Sequence, residues 1–89
     1  MKNNTNGVLA RNLRKLMEAS EINSQLKLAA AAGVAQTNIS NILRGTVSPT
    51  LDTVEKIAAA YNLQPYQLIW PHFIEIMIRR EWRGTKQEH

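Results

Sequence analysis

QLKLAAAAGVAQTNISNILRG, residues 25–45, divides into two short helices about a tight turn. Residues 25–32 favour helix, and the run Ala29 to Ala32 keeps its side chains small enough for another helix to approach closely. Gly33 ends this helix, because a left-handed backbone costs glycine nothing. Val34 and Ala35 make the turn, and Gln36 to Arg44 forms the second helix, closed by Gly45. Gln36, Thr37, Asn38, Ser40 and Asn41 give that helix a run of hydrogen-bonding side chains, while Ile39 and Ile42 face the other way. Six positions carry the packing. Leu28, Val34, Ile39 and Ile42 must bury, Ala29 must stay small where the helices cross, and Gly33 must permit the turn. Each holds the residue type it needs. The arrangement holds one polar helix out in front of a small domain.

The flanking sequence reads as support for this pair. Residues 1–7 are polar and Asn-rich, as expected of a flexible arm. Val8, Leu9, Leu13, Leu16 and Met17 mark one face of a helix over residues 8–19, with Arg11, Arg14, Lys15 and Glu18 largely opposite. The connector of residues 20–24 brings Ile22 inward and offers Ser24 as an N-cap. After a loop at residues 46–49, Thr50 caps a helix whose apolar stripe is Leu51, Val54, Ile57, Ala58 and Tyr61, with Asn62 closing it. Gln64 to Ile69 is a short helix with Pro65 in its first turn and Leu68 and Ile69 turned to the core.

The segment after Trp70 has two possible periodicities. As a helix, Phe73, Ile74, Met77, Ile78 and Trp82 share a face; as a strand, Ile74, Ile76 and Ile78 do. Its punctuation is that of a helix: Pro71 at the start, Glu75 early, Arg79, Arg80 and Arg83 late, and Gly84 at the end. Residues 85–89 form a polar tail. The expected class is all-α, five helices over residues 8–69 with a sixth within residues 70–84.

Composition narrows the function. Eighty-nine residues suit one domain, and 44% hydrophobic with only 6% aromatic residues implies a core of Leu, Ile, Val and Ala. Eleven Lys and Arg against seven acidic residues give a net charge of +4, suited to an anionic partner. The absence of Cys removes disulfides, thiolate zinc sites and Cys nucleophiles, and fits a reducing cytoplasm. No apolar run reaches the roughly 18 residues of a membrane span, and the N-terminus carries no hydrophobic signal core. His72 and His89 are isolated, so neither metal nor cofactor is expected. No nucleophile has a base near it in the pattern, which argues against an enzyme.

Residues 8–69 resemble the lambda-repressor and Cro family of helix-turn-helix DNA-binding domains, of the XRE type, through RNLRKLM, QLKLAAAAGV, QTNISNILRG and SPTLDTVEKIAAAYNL. Three departures stand out. The connector before residue 25 is one residue longer than usual, and Leu26 occupies a position usually polar. Met17 and Leu43 stand where many relatives pair an Arg with a Glu, a replacement of a buried ion pair by apolar side chains that is often neutral or favourable.

The resemblance implies a partner, a double-stranded DNA operator, with residues 36–44 lying in the major groove. Gln36, Thr37 and Asn41 are the expected base readers, and Asn38 and Ser40 are expected at bases or phosphates. Gln25, Lys27, Arg44, Thr46 and Ser48 are expected at phosphates, with Arg11 assisting through its charge. No small-molecule ligand is expected. Family members commonly bind as dimers on paired half-sites, and Phe73, Ile74, Met77, Ile78 and Trp82 are the expected interface of a homodimer, or else a cover for the core. Two functions fit: a transcriptional regulator of the Cro or repressor kind, or an antitoxin-type DNA-binding protein that also grips a toxin through its C-terminal segment.

Overall fold

The computed structural model describes residues 5–79, and within them every regular element is a helix. In chain order these are α1 (Thr5–Ala19), α2 (Gln25–Ala32), α3 (Gln36–Arg44), α4 (Leu51–Ala60), α5 (Pro65–Leu68) and α6 (Phe73–Arg79). This is the all-α, five-helix architecture expected, with a further helix at its C-terminal side.

Local chemistry sets most of the boundaries. Ser24 Oγ accepts from the Lys27 N–H at 3.1 Å and starts α2. Thr50 Oγ1 accepts from the Thr53 N–H at 3.2 Å and starts α4. Gly33 (φ 71°) and Gly45 (φ 73°) end α2 and α3 in the left-handed region, and Asn62 (φ 61°) follows α4 in the same conformation. At α5 the Gln67 side chain takes the Gln64 N–H at 2.7 Å, the returning half of a capping box.

The core collects one face of every helix: Leu9, Leu13 and Leu16 of α1, Leu28 and Ala29 of α2, Ile39 and Ile42 of α3, Ile57 and Ala58 of α4, Leu68 of α5 and Ile74 of α6. Tyr61 is fully buried, and its hydroxyl donates to the Ile22 carbonyl at 2.9 Å, tying the end of α4 to the α1–α2 connector. Burial, only partly offset by a hydrogen bond from Ser20, pushes the Tyr61 phenol well above the ordinary tyrosine value. Ile22 packs half-buried against the core, as expected, and Val34, expected to bury, is only half-buried there because it stands on the turn itself.

Several expectations are corrected. The helix expected from residue 8 begins at Thr5, so residues 5–7 of the expected arm are helical; residues 1–4 lie outside the described residues. Tertiary contact outweighs the low helix propensity of Asn6 and Gly7 there: Ser48 Oγ donates to Asn6 Oδ1 at 3.1 Å, and Gly45 sits against Asn6, Gly7 and Ala10. Leu51, expected on the apolar stripe of α4, is 66% exposed, because the first residue of α4 lies a turn beyond the core. Ile69 was turned to the core but is 40% exposed; α5 has a single turn and only Leu68 points in.

α6 settles the ambiguity after Trp70 in favour of helix over Phe73–Arg79, with the remainder of the expected helix, residues 80–84, outside the described residues. Pro71 does not belong to it, because left-handed His72 (φ 64°) breaks the chain first. α6 packs on α1 and α5. Ile74, expected at a dimer interface, is fully buried within the protomer, and Met77 and Ile78 pack half-buried on the same core. Those residues cover their own domain. Trp82 and the Phe73 side chain, also expected at the interface, lie outside the described part of the structure.

Periodicity gave no sign of Asn12. It is 2% exposed, and its side-chain amide donates to the Leu68 carbonyl and, at 3.2 Å, to the Trp70 carbonyl. The C-terminal end of α5 and the residues just after it are thereby bound to the middle of α1. Asn12→Ala strands both acceptors and is expected to cost about 1–3 kcal/mol in urea denaturation. Leu26→Gln, at a side chain 67% exposed, should stay within about 0.5 kcal/mol of the parent.

Candidate nucleic-acid interface

The recognition surface begins with how α3 is held. Its apolar side, Ile39 and Ile42, is locked under α1 and α2, which leaves the opposite side outward. Its first turn has no capping side chain, because Ala35 precedes it. Unsatisfied N–H groups at a helix start favour an anionic partner. At its other end, the Arg14 guanidinium of α1 donates to the Leu43 carbonyl at 2.8 Å. Met17 and Leu43 line the same shallow recess as Arg14. Met17 and Leu43 thus face each other across a recess that Glu18 and Asn23 also line, and the neighbouring Arg14 is bound to backbone, a contact that no periodicity indicates.

Gln25, Gln36, Thr37, Ser40, Asn41 and Arg44 surround one open depression of about 320 Å³ between the start of α2 and the outer face of α3. Gln36, Thr37 and Arg44 are exposed, and Gln25, Ser40 and Asn41 are half-buried. All three expected base readers therefore share one surface with two of the expected phosphate contacts. Asn38 is exposed but turns to the far flank of α3, where it borders a second recess with Asn41, Val47, Ser48, Pro49 and Thr50. Thr46 is exposed in the same loop. Lys27 is exposed on α2, outside the depression, with Nζ 3.2 Å from Asn23 Oδ1.

Electrostatics reinforce this face. Between Glu21 and Asp52 the chain contains no carboxylate, while exposed Lys27 and Arg44 stand within that interval. A backbone phosphate would meet cations and amides there with no like charge from the same stretch. One contact was not anticipated: Arg44 Nη1 donates to Asn41 Oδ1 at 3.0 Å, linking an expected phosphate contact to an expected base reader. An Asn and an Arg three apart on a helix carry that signal in the sequence.

This geometry is that of a helix-turn-helix domain. The family model described as helix-turn-helix matches residues 13–68, and the chain belongs to this family of XRE-type DNA-binding proteins. It is similar to the control protein C.BamHI of Bacillus amyloliquefaciens, 36% identical over 69 residues, which cover 78% of this chain and 85% of that relative. No solved structure gives a significant match. The matched segment contains the whole depression, α2, α3 and the second half of α1. The family and this relative point to DNA-binding transcriptional regulation without catalysis. Among the described residues no helix is long and apolar enough to cross a membrane.

Removing a single phosphate contact should lower the salt dependence by a countable amount. Lys27→Ala is expected to reduce the slope of log affinity against log salt by about one, equally on every duplex. An unchanged slope in fluorescence titrations at several salt concentrations would take Lys27 off the phosphate contacts.

Proposed function

We propose that this chain is a sequence-specific, repressor-type regulator of transcription in the cytoplasm that binds its operator as a homodimer, with α3 in the major groove. The observation that carries this reading is the single depression bounded by Gln25, Gln36, Thr37, Ser40, Asn41 and Arg44. Its polar side chains lie on the two helices of the motif, and the core uses none of them. The relative described as a control protein supports a regulatory outcome.

The mechanism follows from groove chemistry. Each base pair shows a distinct donor and acceptor pattern in the major groove, and one α-helix fits there. Gln36, in the first turn of α3, offers an amide that can bond adenine N6 and N7 together. Thr37 offers a hydroxyl to a base edge or a methyl to thymine. Gln25, Lys27, Arg44 and the loop residue Thr46 hold the backbone and fix the register, while the Ser48 hydroxyl is committed to Asn6. Occupancy alone then represses, because the bound domain excludes other proteins from the same groove.

Pairing is better placed on the α4–α5 face than on α6, whose described inner side chains face their own core. Leu51, Val54, Pro65, Tyr66 and Ile69 line a groove of about 590 Å³ with no charged residue on its walls. Leu51, Tyr66 and Ile69 are exposed there. A second copy of this chain is the occupant proposed: two such faces meet about a two-fold axis without like-charge repulsion. The groove also shares Ser48 and Pro49 with the recess flanking α3. The pairing face thus adjoins the DNA face, and both copies can address one duplex.

Two outcomes test these claims. On a site obtained by selection from random duplexes, Gln36→Ala should weaken binding by on the order of tenfold or more and flatten preference at one position per half-site. Unchanged affinity and preference would remove α3 from the role of reader. Tyr66→Asp should convert a sedimenting dimer to monomer and reduce the selected site to a single half. A dimer that persists would place the interface elsewhere.

A further inference from the structure

Resting on the proposed base-reading role of α3, we infer that Arg44 determines which bases Asn41 accepts, by holding its side-chain oxygen. Arg44 Nη1 lies 3.0 Å from Asn41 Oδ1 on the same face of α3. A guanidinium carries only donors, so the amide atom turned toward it must be the oxygen. The oxygen is then engaged along the helix, and the amide NH2 is left as the group that meets a base edge. Both residues border the depression, and Asn41 also borders the recess on the opposite flank, which puts it at the crest of the helix.

The consequence for readout is specific. A free Asn amide pairs with adenine by accepting from N6 and donating to N7 together. With its oxygen held along the helix, the amide is turned so that Asn41 leads with its NH2 and no longer aligns acceptor and donor together on an adenine edge. It then favours base edges that present acceptors without a neighbouring donor, guanine through O6 and N7 or thymine through O4. Arg44 has further N–H groups for a backbone phosphate, because its fork carries five donors. Binding of the phosphate by Arg44 and selection of the base by Asn41 are thereby coupled through one side chain.

The test is a binding selection from random duplexes, read out by sequencing, on the parent chain, Asn41→Ala, Arg44→Ala and Arg44→Lys. Asn41→Ala identifies the position it reads, as the one whose preference flattens. At that position the parent should select guanine or thymine over adenine. Arg44→Ala frees the amide oxygen, and adenine should rise there by on the order of tenfold relative to the parent's preference. Arg44→Lys retains a donor and should keep adenine disfavoured. Three results would overturn the inference: adenine preferred by the parent at that position, no position flattened by Asn41→Ala, or uniform weakening by Arg44→Ala with the preference unchanged. If the parent enriches no sequence at all, the regulator reading itself fails, and this inference with it.

Discussion

One carbonyl sets the geometry of this domain. The Ala29 oxygen accepts from the Gly33 N–H at 2.9 Å and from the Val34 N–H at 3.1 Å, so α2 ends by folding the chain back over its own last turn. The left-handed residue required for this is Gly33, and a Cβ there would meet no atom within 4 Å. The demand on that position is therefore one of backbone conformation alone; a left-handed L-residue costs about 1–2 kcal/mol. Because the turn is fixed, Ile39 and Ile42 enter the core beside Leu28 and Ala29, and everything polar on α3 must face outward. The binding face follows from the packing face.

The other elements restrain α3 from behind. α1 contributes three buried leucines beneath it and the Arg14 bond to its last turn. The far end of α3 lies beside the start of α1, where a Cβ at Gly45 would come into ordinary contact with Asn6, Gly7 and Ala10. Asn12 and the Tyr61 hydroxyl join segments distant in sequence through backbone carbonyls. Such bonds place buried polar groups at defined points and so select one arrangement among many that would bury equal apolar area. The outer face of α3 can then be built from residues outside the apolar core.

Much of this was legible in the sequence because its signals are local. Ser24, Gly33, Gly45, Thr50 and Asn62 announce helix ends through capping chemistry and left-handed conformation, and the structure uses each accordingly. The polar run of α3 lies opposite Ile39 and Ile42, which brings Gln36, Thr37 and Asn41 to one surface together with Gln25 and Arg44. What escaped depends on contacts between distant segments. Nothing near Asn12 marks it as a buried donor to α5, and nothing near Asn6 tells that Ser48 will hold it in a helix. Leu51 and Ile69 fit an apolar stripe but fall past the ends of the core, where periodicity carries no information about depth. Periodicity leaves the apolar face of α6 open between a partner surface and a cover for the core, and the burial of Ile74 makes it the cover.

The central claim is that the outer face of α3 meets base edges in the major groove. Guanine N7 lies in that groove, so protection of guanines from N7 methylation in the selected operator addresses it most directly. Protection should be confined to two major-groove segments about one helical turn apart, roughly 34 Å, and lost together when Gln36 and Asn41 are replaced by alanine. Guanines that remain fully reactive in a saturated complex, with protection appearing instead at adenine N3 in the minor groove, would contradict it.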